Sequence, residues 1–530
     1  MKTKLSFNKK NGLSLLIALF SISINAQTWA TKATNFSILN TPVTQIAIAN
    51  DNVVWSCNSA SKVFSKSVDG GNTWTTGTIN IGTSNTNITS ITAVSAMKAW
   101  VCAYDYSISA NLGVYATVNG GSTWTKQPTA YNQSASSFPN IIKFFDENNG
   151  ITQGDPIDSN FEVYRTSNGG VNWTRVPTAN FPALISGEYG VTSFFDATPD
   201  GSSIWFGSSG TAVRLFKSIN YGVTWTATSL NLSTAPSLGL TFKDANIGFI
   251  YGKVAGVFSL QKTTDGGNTF SNITTSGFTG NVTNIKCVPN NNMIVLSATT
   301  SGLSYCNHLS SDTTLALQPF TNLINSQTFE FKNFYTGYAG GTNSTATNGI
   351  YKLNNTISLI GATIGTPWTS DVDFATTDGL NYTLSNYSFS NGDAKFRLNH
   401  AWVPFSLDWG STNFPSGTAV SGGSNIPIAT GSYDVNFNIA TLAFSFVAPL
   451  SNETFINKKI TLFPNPAKSS ITIQTNESIR AVKIIDLSGR ITTISNFTNN
   501  NIDVSNLANG MYFIMIKTDT GVFKEKFIKN

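Results

Sequence analysis

One eight-residue turn recurs along this chain, and recurrence at near-even spacing leaves few folds open to it. Ser67-Val68-Asp69-Gly70-Gly71-Asn72-Thr73-Trp74 returns as Thr117-Val118-Asn119-Gly120-Gly121-Ser122-Thr123-Trp124, as Thr166-Ser167-Asn168-Gly169-Gly170-Val171-Asn172-Trp173 and, more loosely, as Ser218-Ile219-Asn220-Tyr221-Gly222-Val223-Thr224-Trp225. A fifth copy, Thr263-Thr264-Asp265-Gly266-Gly267-Asn268-Thr269-Phe270, ends in Phe. The terminal aromatics stand 50, 49, 52 and 45 residues apart. An Asp or Asn at the third position (Asp69, Asn119, Asn168, Asn220, Asp265) accepts hydrogen bonds from backbone amides ahead of it, and the glycines supply the positive φ of the turn. The closing aromatic leaves on the outgoing strand, where a large flat side chain buries area against the neighbouring unit. Such a turn is a fastener of a scaffold rather than a site.

A second signal extends the repeat. Phe144-Phe145-Asp146-Glu147-Asn148-Asn149-Gly150, Phe242-Lys243-Asp244-Ala245-Asn246-Ile247-Gly248 and Phe331-Lys332-Asn333-Phe334-Tyr335-Thr336-Gly337 each read as strand, tight turn, strand. Five turn-bearing units and two eroded ones, over 281–316 and 331–353, predict seven blades between residues 27 and 362. Radial closure leaves few exposed strand edges, whereas an open ladder leaves two. The turn resembles the Asp-box (BNR) repeat of sialidases, sortilin-type receptors and photosystem II assembly-factor propellers. That resemblance implies a β-propeller with the turns on the outer rim, away from the ligand face.

Charged residues make up only 11% of the chain, against roughly 25% in average proteins, which suits an exported all-β protein rich in turns. Residues 27–456 carry 18 basic and 22 acidic side chains, a net of −4 that argues against a nucleic-acid partner. Residues 1–26 read as a secretory signal: a basic stretch to Lys10, an apolar run from Leu13 to Ile24, and Ala26 at the cleavage position. No other long apolar run follows, so no transmembrane segment is expected in the mature chain. The four cysteines allow two disulfides; Cys57 and Cys102 occupy equivalent places in adjacent repeats, and Cys287 and Cys306 share a later one. Buried thiols are the alternative.

Beyond Thr366 the period stops. Residues 366–450 contain Lys395-Phe396-Arg397, Trp402, Asp408-Trp409-Gly410, Phe414-Pro415-Ser416-Gly417 and Gly431-Ser432-Tyr433-Asp434-Val435. This segment resembles the surface glycan-binding modules of SusE and SusF-type proteins, which implies a β-sandwich and a starch-like glucan partner. Aromatic faces stack on sugar C–H groups while polar neighbours take hydroxyls; Trp402, Trp409, Lys395, Arg397 and His400 are the candidates. Strand alternation sends some of these aromatics into the core instead.

Residues 457–530 run through Ile460-Thr461-Leu462-Phe463-Pro464-Asn465-Pro466, Ile484-Ile485-Asp486-Leu487-Ser488-Gly489-Arg490 and Gly510-Met511-Tyr512-Phe513 to a basic end. Order and spacing resemble the type A sorting domain of type IX secretion in Bacteroidota. The resemblance implies a small β-sandwich read by the type IX machinery, with the product extracellular or on the outer cell surface. The fold class expected overall is all-β: a seven-bladed propeller followed by two small β-sandwiches.

No phosphate loop, zinc motif or nucleophile elbow is present, and two histidines leave little room for His-based or metal chemistry. No cofactor or metal is expected. A glycoside hydrolase needs only two carboxylates. If the box turns share one face, Tyr104-Asp105-Tyr106, Asp155-Pro156-Ile157-Asp158 and Gly187-Glu188-Tyr189 share the other. Asp155, Asp158 and Glu188 are therefore the candidate catalytic acids and Tyr104 and Tyr106 candidate ligand contacts, with solvated turn residues as the plainer reading. Sialidase chemistry would call on Arg165, Arg175 and Arg214, and Arg175 follows a box Trp. The leading expectation is a non-catalytic binding protein for polysaccharide or another surface ligand; a glycoside hydrolase and an adhesin or interaction scaffold are the alternatives.

Overall fold

The structure, a computed structural model, describes residues 28–134, 137–233, 238–277, 280–289, 291–298, 302–307, 312–319, 328–365, 367–400, 407–449, 460–494 and 499–530. The expected signal segment, His308 and Trp402 lie outside them. Among the described residues one 3-10 turn, Thr178–Asn180, is the only helix, and no helix is long and apolar enough to cross a membrane.

Seven four-stranded antiparallel sheets follow one another along the chain. The first is Gln45–Ile48, Val54–Cys57, Val63–Ser67 and Thr75–Thr78. The next five fall within residues 86–127, 139–175, 188–229, 239–272 and 282–319. The seventh takes Phe329–Phe331, Gly337–Gly340 and Gly349–Asn354 and receives its outer strand, Thr28–Ala33, from the other end of the chain. Thr28 pairs with Asn354 and Ala33 with Gly349. The inner strands of successive sheets touch all the way round, including the seventh against the first. The result is a propeller.

Alternation within each strand divides the side chains between two blade interfaces. Trp55, Phe64, Ile88, Ile91 and Val101 fill the one between the first and second sheets. Trp100, Phe144, Tyr164 and Trp173 fill the next. The cysteines follow the same pattern: Cys57 and Cys102 are buried free thiols, not a bridge, and burial pushes both up to about 12. Cys287 and Cys306 both register with Ile294, from opposite sides. They are thus two strand spacings apart, roughly 9.5 Å, beyond the reach of a disulfide.

The strand Ile357–Gly361 leaves the propeller, short of the boundary expected at residue 362. It pairs with Asp371–Asp373 and Gly392–Leu398 in a six-stranded sheet. A four-stranded sheet, Asn381–Phe389, Gly431–Asn438, Ala443–Val447 and Ser416–Thr418, covers it. Phe396 stacks on Phe437 with centroids 4.4 Å apart at the centre of this sandwich. Propeller and sandwich form one compact unit ending at Val447. Residues 448–530 are a second unit, built from a three-stranded and a four-stranded sheet. Its own core gathers Ile471, Ile473, Val482, Ile484, Ile514, Ile516 and Phe527.

Candidate functional site

The five recurring turns share one hydrogen-bond pattern. In the first, Ser67 Oγ donates to Asp69 Oδ1 at 2.8 Å and accepts from Gly71 N at 2.8 Å. Asp69 Oδ1 also accepts from the amides of Asn72 and Thr73 at 3.0 and 2.9 Å. Asn119, Asn168 and Asn220 accept from the amide four residues ahead at 2.9 Å, and Asp265 does the same. Two successive left-handed residues make this possible, such as Gly70 and Gly71 with φ of 68° and 84°. A Cβ on Gly121 would stand 2.3 Å from the Phe64 ring of the preceding blade, so the second glycine is required by space as well as by φ. Burial alone would raise the Asp265 carboxyl. The donors Thr269, Thr263 and Asn268 together outweigh it and hold the group at about 2.

The closing aromatics are spent on packing. Trp74 meets Tyr338 of the seventh sheet edge-on at 6.0 Å, and Trp124 meets Phe64 of the first at 6.4 Å. Trp173 Nε1 donates to Gln127 in the second sheet at 2.9 Å. Trp225 stacks on Phe181, and Phe270 lies against the core between the fourth and fifth sheets.

A second set of fasteners was missed in the sequence. Trp100 stacks on Phe144 at 3.6 Å and donates its indole N–H to Gly169 O in the next turn, at 3.1 Å. Trp205 repeats this two blades on, stacked on Phe242 at 3.7 Å and donating to Gly266 O at 3.0 Å. The signal was present in the equivalent placement of Trp55 and Trp100, which the cysteines beside them obscured.

The opposite face carries the hairpin between the second and third strands of each blade and the connection entering the next. Glu188 is sealed there: its side chain is 0% exposed and ion-paired with Arg214. Arg214 Nε donates to Oε1 at 2.7 Å, Ser208 Oγ to Oε1 at 2.9 Å and Ile185 N to Oε2 at 2.9 Å. Burial would raise this carboxyl, but these donors and the Arg214 charge hold it below the ordinary range. A carboxylate so enclosed cannot reach a substrate, which removes Glu188 as a catalytic candidate. Asp158 sits at the hairpin tip with φ 56° and faces Arg175 at 3.7 Å. Asp155 Oδ1 accepts from Asn140 Nδ2 and from Gly190 N of the next blade, both at 2.8 Å, and burial raises its pKa.

Beside Asp155 lies an aromatic group that sequence reading found only in part. Tyr104 and Tyr106 meet edge-on at 5.1 Å, and Phe138 lies 4.8 Å from Tyr104. Phe138 O accepts from Asp155 N at 2.8 Å, a main-chain link between the two residues. Tyr106 is 55% exposed, and Tyr189, next to the Gly190 amide on Asp155, is 48% exposed. Phe138 belongs to no repeat motif, so nothing in the sequence pattern marked it.

The sandwich candidates are arranged differently from the expectation. Trp409 is 2% exposed and packs on Phe437 and Phe334, so it offers no face to a sugar. Lys395 Nζ donates to Asp408 at 2.7 Å, Arg397 forms a two-pronged pair with Asp371, and His400 meets Asp373. Lys395 and Arg397 serve as ion-pair partners along the sheet, as half-buried cations require. Among the described residues no group of His, Cys, Asp and Glu is placed to hold a metal ion.

Residues 461–530 match the family described as "Secretion system C-terminal sorting domain". The tail therefore marks the chain for type IX export to the cell surface or extracellular space. No curated protein matches the chain. Similar solved structures include "YCF48 bound to D1 peptide", at 13% identity, TM-score 0.44, and 61% and 96% coverage of this chain and that one. "YCF48 from Cyanidioschyzon merolae" gives 14%, 0.45, 62% and 98%. The GH74 xyloglucanase from Xanthomonas campestris gives 10%, 0.39, 91% and 84%.

Proposed function

We propose that this chain, exported by type IX secretion, is a non-catalytic binding protein whose propeller takes a polysaccharide on the face opposite the recurring turns. The observation that supports this reading is the aromatic arc Tyr104, Tyr106 and Phe138, continued by Tyr189 and joined through Asp155. Exposed rings stack on sugar C–H faces, and a neighbouring carboxylate accepts hydrogen bonds from hydroxyls. The turns, read as Asp-boxes, belong to the scaffold. The sandwich also serves as scaffold in this reading, because its Trp409 is buried and its cations are paired.

A glycan array probed with residues 27–456, followed by titration of the best ligand into Tyr106→Ala and Tyr189→Ala, tests the reading. Loss of one stacking ring is expected to weaken binding about 5- to 10-fold, given roughly 1 kcal/mol per ring. Retention on no glycan, with capture of a protein partner instead, would favour an interaction scaffold. Hydrolysis of a bound glycan that is lost in Asp155→Asn would overturn the non-catalytic assignment.

A further inference from the structure

At the seam of the propeller, where Thr28–Ala33 joins the seventh sheet, a cavity of about 130 Å³ opens between the ring and the sandwich. Lys32, Asn72, Tyr335, Lys352, Thr377 and Tyr382 are among the residues that line it. Ala30 pairs with Lys352 and Lys32 with Ile350. Lys32 and Lys352 therefore stand diagonally on one face of adjacent strands.

Lys352 lies near the end of the third strand of its blade, Gly349–Asn354, as Lys66 does in Val63–Ser67 of the first. Lys66 Nζ is satisfied by carbonyls of the next blade, Ala96 O at 2.9 Å and Gly120 O at 3.0 Å. Among the described residues, Lys352 at the seam has a single 3.4 Å contact, to Asp378 O of the sandwich. Among the described residues neither Lys32 nor Lys352 forms an ion pair. The carboxylates whose fields reach Lys352 are Asp69 and Asp378. Asp69 is held by Ser67, Asn72 and Thr73, and Asp378 by Leu380 and Asn381. Asp69 and Asp378 thus act on Lys352 only from beyond ion-pair distance, and the two cations share a half-enclosed polar cavity with no carboxylate in direct contact, an arrangement that favours an anion entering it.

We propose that the seam cavity is a binding site for a small oxyanion, a carboxylate or sulfate held between Lys32 and Lys352. The site is separate from the aromatic arc, and its occupancy does not depend on the polysaccharide reading. An acidic sugar and a free inorganic ion share this chemistry.

Isothermal titration of residues 27–530 at low ionic strength, with D-glucuronate, inorganic sulfate and neutral D-glucose as probes, distinguishes them. Both anions or one of them should bind and glucose should not. Lys32→Met should weaken the anion at least 10-fold, and Lys352→Met likewise. Lys32 is half-exposed, so its variant decides the matter should Lys352→Met fail to fold by circular dichroism. Tighter binding of glucuronate assigns an acidic sugar, and tighter binding of sulfate assigns the inorganic ion or a sulfate ester. The proposal is overturned by the absence of anion binding, by glucose binding as tightly as glucuronate, or by full affinity in Lys32→Met.

Discussion

Trp409 of the sandwich lies over Phe334 of the propeller, ring centroids 6.3 Å apart and planes 29° from parallel. Phe334 belongs to the turn joining the first two strands of the seventh sheet, and it touches both the seam core and the sandwich core. The residue that looked most like a sugar platform is therefore part of the joint between two folds. Trp409→Ala should lower the stability of residues 28–447 by about 3–5 kcal/mol, the usual range for removing a buried large aromatic. Urea unfolding followed by circular dichroism measures this. A change below about 1 kcal/mol would show that the joint is loosely packed.

The recurring turns make stability depend on acid. Asp265 lies below its ordinary value of 3.8, at about 2. A carboxyl depressed on folding contributes stability above its unfolded pKa and loses that contribution as pH falls through the folded value. The contribution of this turn should thus be complete above about pH 4 and disappear toward pH 2. Asp265→Asn, which copies the residue found in three sister turns, should flatten that part of the curve while leaving a folded protein at neutral pH. An unchanged slope between pH 4 and 2 would rule out this assignment.

Glu188 and Arg214 form an ion pair inside the fourth sheet, with side chains 0% and 8% exposed. Removing one partner leaves the other charge without compensation. Glu188→Ala should cost about 3–5 kcal/mol in denaturant unfolding, whereas Glu188→Ala with Arg214→Met should recover much of it. If both variants are equally damaged, the loss is one of packing rather than charge.

The tail carries the export signal. Deleting residues 460–530 should leave the protein in the periplasm, with the 28–447 unit folded, because each unit has its own core. Cell fractionation with an antibody to the propeller reads this directly. Equal amounts in the medium with and without the tail would contradict it.

The scaffold was legible because it is local. Each turn carries its acceptor, its glycines and its aromatic within eight residues, and each copy adds to the spacing that implies a ring. The candidate site was legible only in part, because its members meet through tertiary contact. Tyr104 and Tyr106 stood out as a pair, but Phe138 arrives from the next blade and has no motif of its own. Glu188 looked available until Arg214, 26 residues later, closed over it. Trp409 looked like a binding aromatic because composition cannot tell which face of a short strand will be covered. The boundary after the seventh sheet was misplaced for a similar reason: Ile357–Gly361 has the alternation of either fold, and only its partners decide between them.

Pairing of Thr28–Ala33 with Gly349–Asn354 also sets the order in which this molecule can mature. A chain emerging amino-end first must hold that strand unpaired while six blades are made, since its partner appears some three hundred residues later. Closure is therefore a late event of high contact order, expected to be slow relative to assembly of the individual blades. Until then the chain is an unlatched ribbon whose two unpaired edges are open to a neighbouring copy as readily as to each other.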